Sequence, residues 1–150
     1  MKKMNNKGFS MVELIIVIAI MAILAAALAP ALIKYINKSR LSSDVSTGTS
    51  IASAIQTALS NESAYDDCTA VTTPTAVQSA FSGDMATEVQ ATIDLSNCKV
   101  KSKKDMDGTA LGGTDFLVVV EPTTNKVEVY VGDTNHMCSP SVTSTLVEKS

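Results

Sequence analysis

From Leu14 to Ile33 the chain runs through twenty consecutive residues with no charged or strongly polar side chain. At about 1.5 Å per helical residue this is roughly 30 Å, the thickness of a bilayer's hydrocarbon core. After Tyr35 the pattern changes. Leu41, Val45, Ala52, Ile55 and Leu59 recur near the helical period, with Ser and Thr filling the positions between them. Together the two stretches predict one long helix from about Ser10 to Asn61, apolar all round in its first half and amphipathic in its second. Gly48 weakens its middle. Pro30 removes an intrahelical hydrogen bond and crowds the preceding turn, so a bend or local melting is expected there. Ala25, Ala26 and Ala27, just before it, offer small side chains for close helix contact.

Downstream the periodicity shortens. Glu62 to Asn97 reads as a connecting region. Thr73-Pro74 is a helix-start signal. Val77, Phe81, Met85, Val89 and Ile93 recur every four residues as a helical stripe of core anchors, which Gly83-Asp84 would split. Cys98 to Ser102 alternates weakly, and Phe116 to Val120 is a β-rich run expected to be central and buried. Glu121 to Asn125 is a turn, and Lys126 to Val131 alternates strictly, with one buried and one wet face. These segments predict a three- or four-stranded antiparallel meander. The tail from Cys138 onward shows no clear element. The fold class is α+β. A transmembrane-type helix over 9–33 continues into an amphipathic half over 34–61, packed on a small antiparallel sheet within 62–150.

Charge orients the apolar block. Lys2, Lys3 and Lys7 precede it, which keeps its N-terminus cytoplasmic and sends its C-terminal side across; Lys34, Lys38 and Arg40 follow it and blunt the asymmetry. The chain holds twelve basic and fifteen acidic residues, and without those first three lysines nine basic residues face fifteen acidic ones. A mildly acidic soluble part argues against nucleic acid as a required partner. The cluster Lys99, Lys101, Lys103 and Lys104 reads as a solvated strand edge in preference to a binding patch.

Candidate chemistry is sparse. There is no GxSxG, no Gly-rich phosphate loop and no HExxH. His136 stands near Cys138 on an irregular tail, which is poor support for a nucleophilic dyad. No enzyme activity and no cofactor are expected. Asp105, Asp107 and Asp115 surround a Gly-rich turn and supply the hard oxygen ligands calcium takes, but their spacing is not that of an EF-hand. Asp and Gly are also ordinary turn residues, so a plain turn with no metal is the preferred reading. Cys68, Cys98 and Cys138 lack metal-ligand spacing and allow three disulfide pairings outside the membrane. In a meander the first strand's start and the third strand's end lie at opposite ends. That disfavours Cys98 with Cys138 unless the tail doubles back, and leans towards Cys68 with Cys98.

Glu13 at the mouth of the apolar run divides three readings of the N-terminus. A cleaved secretory signal would use Ala27-Leu28-Ala29, but Pro30 would follow the cut. A plain anchor explains the length and not the acid. An ionised carboxylate costs about 2.5–3.5 kcal/mol near the bilayer centre, less near the interface, and calls for a partner. If the chain is cut after Gly8, the new amine of Phe9 lies one helical turn from Glu13, and side-by-side subunits can pair the amine of one with the acid of the next. Alternatively, the helix N-terminus itself stabilises the acid.

Lys7-Gly8-Phe9-Ser10-Met11-Val12-Glu13-Leu14 resembles the class III leader junction of the type IV pilins and type II secretion pseudopilins. The resemblance covers about the first 36 residues and implies a leader over 1–8. A membrane prepilin peptidase would cleave between Gly8 and Phe9 and N-methylate Phe9. Glu13 would set the axial register between subunits, and Pro30 falls where the family often carries a kink. In the family a C-terminal disulfide is common, which would favour a bond to Cys138, so the pairing stays open. Major secretion pseudopilins carry calcium in a loop comparable to that of Asp105, Asp107 and Asp115. The implied function is a structural subunit of a pilus-like surface filament for adhesion or motility. It would start as a single-pass precursor in the cytoplasmic membrane and self-assemble on a membrane platform. The alternative is a pseudopilin of a protein-secretion or DNA-uptake apparatus. More remote is a signal-anchored extracellular binding domain or enzyme.

Overall fold

The computed structural model describes residues 9–146. The chain forms two compact units, Met1–Ile36 and Asn37–Ser150, and a single helix, α1 (Met11–Leu59), contributes to both. Among the described residues the first unit is Phe9, Ser10 and α1 as far as Ile36. Pro30 lies inside α1 with helix on either side, so the expected local melting does not occur. Pro30 costs one donor, but Ala and Leu around it favour the helix, and every further unpaired backbone group would be costly beside apolar side chains.

In the second unit α1 buries Leu41, Ile51, Ala52, Ala54, Ile55, Ala58 and Leu59, the stripe its spacing announces, while Val45 is only half-buried. The helix ends at Leu59. Asn61 then caps a short helix, α2 (Glu62–Asp67), by accepting from the Ser63 amide at 3.1 Å.

The sheet has four antiparallel strands in the order β1 (Val71–Ala76), β2 (Phe116–Glu121), β3 (Lys126–Val131) and β4 (Met137–Ser139). Phe116, Val118 and Val120 of β2 lie opposite Val131, Val129 and Val127 of β3, and all six are buried on one face. Leu117 and Val119 are half-buried, so β2 is central without being covered on both sides. The β2–β3 turn closes through Asn125 at φ 51°, a left-handed position that Asn tolerates.

Three expectations fail. Thr73-Pro74 opens no helix: it lies in β1, an edge strand, where Pro's missing donor costs no ladder bond and the residue before Pro prefers extended backbone. The four-residue stripe is divided at Gly83, as Gly83-Asp84 led us to expect, though its first part is a 3-10 turn and not a helix. Only Met85 and Val89 belong to α3 (Gly83–Thr92), while Val77 is buried in a 3-10 turn. Asp67 Oδ2 accepts the Asp84 amide at 2.8 Å, and Gly83 adopts φ +58° in front of that carboxylate, which sets the start of α3. Cys98 to Ser102 forms no strand beyond a single bridge from Lys99 to Asp115. The tail, finally, is ordered as β4, doubling back beside β3.

Gly48, which on propensity only weakens α1, is where the helix packs tightly against β4 and β2. A Cβ there would lie 2.2 Å from Cys138 Sγ and 3.5 Å from Phe116 Cε1. Gly48→Ala is therefore expected to destabilise the domain by about 1–3 kcal/mol through overpacking. In a Cys138→Ala background the cost should shrink, a coupling measurable by a double-mutant cycle of thermal unfolding on the solubilised chain. An unchanged melting temperature in Gly48→Ala would contradict this packing.

Candidate assembly segment

At the head of α1, the side chains of Ser10 and Glu13 each accept a backbone amide of the first turn. The Ser10 amide donates to Glu13 Oε2 at 2.9 Å, the Val12 amide donates to Ser10 Oγ at 3.3 Å, and the Leu14 amide closes the first turn on Ser10 O at 3.2 Å. This is a capping box, readable in the sequence as Ser10-x-x-Glu13, and the sequence reading passed over it. Side chains in helices lean towards the N-terminus, so the Glu13 carboxylate folds back to the level of Ser10. Phe9, 86% exposed, is next to it. Gly8 and the leader expected over 1–8 lie outside the described residues.

Beyond Glu13 the apolar surface is continuous. Every residue from Phe9 to Tyr35 is exposed, and α1 is long and apolar enough to cross a membrane. Glu13 is the one carboxylate before Asp44.

The second unit hides its polar chemistry in two places. Asp44, 1% exposed, accepts the amides of Lys101 at 3.0 Å and Ser102 at 2.8 Å, and also the Ser102 hydroxyl. A buried carboxylate is tolerable when amide donors replace its water, and these bonds hold the 101–102 backbone on α1 in place of a strand partner. Asp44 falls on the apolar stripe between Leu41 and Gly48, a signal of burial that the sequence reading did not use.

The second place is His136. Its Nδ1 lies 2.6 Å from Asp133 Oδ1 and its Nε2 lies 3.3 Å from Asp105 Oδ2, with the ring and Asp105 both buried. Asp105 also accepts the Thr109 amide, and Asp133 accepts those of Gly112 and Asn135. The three candidate carboxylates thus separate: Asp105 faces His136, Asp115 pairs with Lys99, and Asp107 is exposed. Among the described residues no three His, Cys, Asp or Glu side chains gather in a geometry that could hold a metal ion.

Cys138 is no partner of His136. Its thiol donates to Val129 O at 3.2 Å, and burial pushes it up to about 12. Cys68 and Cys98 are also raised, first by burial and then by Asp67 and Asp94 respectively. All three cysteines are free thiols in this structure.

Residues 3–29 match the family model described as the prokaryotic N-terminal methylation motif. The chain is 39% identical over 66 residues to the type IV major fimbrial protein FimA of Dichelobacter nodosus, covering 44% of this chain and 41% of that protein. It therefore spans well under half the length of this curated relative. No solved structure matches.

Burial pushes the Asp133 carboxyl up, but the His136 ring, the Gly112 and Asn135 amides and the imidazole charge outweigh it and hold the group below its ordinary 3.8. A carboxyl depressed by folding stabilises the fold above its unfolded value, and that contribution disappears as pH falls through the folded value. The melting temperature should therefore drop as pH falls below about 4, and Asp133→Asn should flatten that limb. An acid limb identical in the variant would remove Asp133 from this account.

Proposed function

We propose that this chain belongs to the type IV pilin family and is a structural subunit of a pilus-like surface filament. The observation that carries the reading is the uninterrupted apolar surface of α1 from Leu14 to Ile33, headed by the lone carboxylate Glu13. Such a surface needs a bilayer or a bundle of its own kind around it. In the precursor the bilayer serves, over residues 9–33. In the filament the same side chains pack on neighbouring copies. Lipid is already apolar, so this exchange releases little hydrophobic free energy, and close packing near Ala25–Ala27 and Pro30 must guide it together with polar pairing.

Glu13 supplies that pairing. Cleavage between Gly8 and Phe9 by a prepilin peptidase creates an ammonium where the leader was, and N-methylation leaves it cationic. The carboxylate, folded back 2.9 Å from the Ser10 amide, stands at the level where a neighbour's Phe9 amine arrives. An unpaired charge of either sign in an apolar bundle is costly, so the register that pairs them is preferred. The similarity to FimA, a fimbrial protein, is in keeping with the pilus reading; a pseudopilin of a secretion or uptake apparatus would use the same segment.

The variant that separates charge pairing from helix capping is Glu13→Gln. Gln keeps the capping-box geometry and removes the charge. The variant is expected to insert in the membrane normally and to yield at least about tenfold fewer sheared filaments. Normal filament yield from cells carrying only Glu13→Gln would sink the register role.

A further inference from the structure

We infer that Arg40, Lys101, Lys103 and Lys104 form a basic ridge that docks the domain on the anionic phospholipid headgroups of the membrane its own helix crosses. The inference rests on the membrane-anchored reading of the precursor.

The ridge is built at the first residue of the domain. Asn37 Nδ2 donates to the carbonyls of Lys104 at 3.2 Å and Asp105 at 3.3 Å. Two turns on, Asp44 accepts the amides of Lys101 and Ser102, and Lys101 Nζ lies 3.4 Å from Ser43 Oγ. Asn37, Arg40 and Asp44 are spaced three and four apart and so share one helix face, along which the 101–105 segment lies. Asn37 follows directly on Ile36, where the apolar unit ends. The lysines are therefore tied to the point at which the chain leaves the apolar segment, whatever way the domain pivots about it. An extended lysine reaches about 6 Å, and charge is felt over a further ~8 Å at physiological salt, so a headgroup layer at that point lies within range.

The charges are available. All four side chains are exposed, and among the described residues none of the four is in an ion pair. The nearby acids Asp44 and Asp105 are buried and engaged internally, leaving Asp107 as the exposed carboxylate of the loop. Elsewhere the domain is acidic: from Asn37 onward, outside the ridge, four basic residues face fourteen acidic ones. A planar anionic surface attracts the ridge and repels the remainder, which sets an orientation. Nucleic acid would need a longer basic track than one loop and one helical turn. The lipid that fits is any phospholipid with a net negative headgroup.

The test is a lysine acetylation footprint on the full chain reconstituted in vesicles, read by peptide mass spectrometry. One vesicle is neutral phosphatidylcholine and the other contains about one third phosphatidylglycerol. Lys101, Lys103 and Lys104 should acetylate at least about threefold more slowly on the anionic vesicles, and about 0.5 M NaCl should abolish the difference. Lys126, at the far end of β3 and about 17 Å along the strand from Val131, is the internal reference and should not change. Equal rates on both vesicles, with the chain still resisting carbonate extraction, would overturn the ridge and leave the anchor standing. A chain washed off by carbonate would overturn the anchored reading, and the ridge with it. Stronger protection by a duplex oligonucleotide on neutral vesicles than by phosphatidylglycerol would reassign the lysines to nucleic acid.

Discussion

Twenty consecutive apolar residues on one helix, all of them exposed among the described residues, constrain everything else about this protein. Exposed to water, such a surface would drive aggregation; on the proposed reading a membrane covers it first and copies of the chain afterwards. The domain that follows has a conventional core, in which the buried faces of β2 and β3 meet the apolar stripe of α1. The two halves of α1 thus obey different solvents: the first is apolar all round, and the second is apolar on one stripe only.

Within the domain, a few polar contacts decide how the irregular segments lie. Asp44 takes two backbone amides that would otherwise need a strand partner, which turns an expected strand into a strap on α1. His136 bridges Asp105 and Asp133, joining that same strap to the β3–β4 turn. Gly48 lets Cys138 seat β4 against the helix. These contacts sit on segments with little hydrophobic surface of their own, where hydrogen bonds to buried charges carry proportionately more weight.

Much of this was legible in the residues. The long helix, the apolar stripe from Leu41 to Leu59 and the alternation of Lys126 to Val131 all follow from periodicity, because burial repeats at the period of the element. What could not be read was set by distant partners. Thr73-Pro74 carries a helix-start signal that an available sheet edge overrides, and the tail becomes a strand only because β3 offers it a ladder. Asp44 was visible on the apolar stripe, but its amide partners stand 57 and 58 residues away. Ser10-x-x-Glu13 is a cap signal within the sequence, separate from the intersubunit role proposed for Glu13.

The account stands or falls on where the mature chain begins. Intact and N-terminal peptide mass spectrometry of protein sheared from its native cells would decide it. The account predicts a terminus at Phe9 carrying one added methyl group. A terminus at Met1 or at Pro30, without methylation, would contradict it: the cationic partner proposed for Glu13 would not exist, and the apolar helix would be an anchor or a discarded signal.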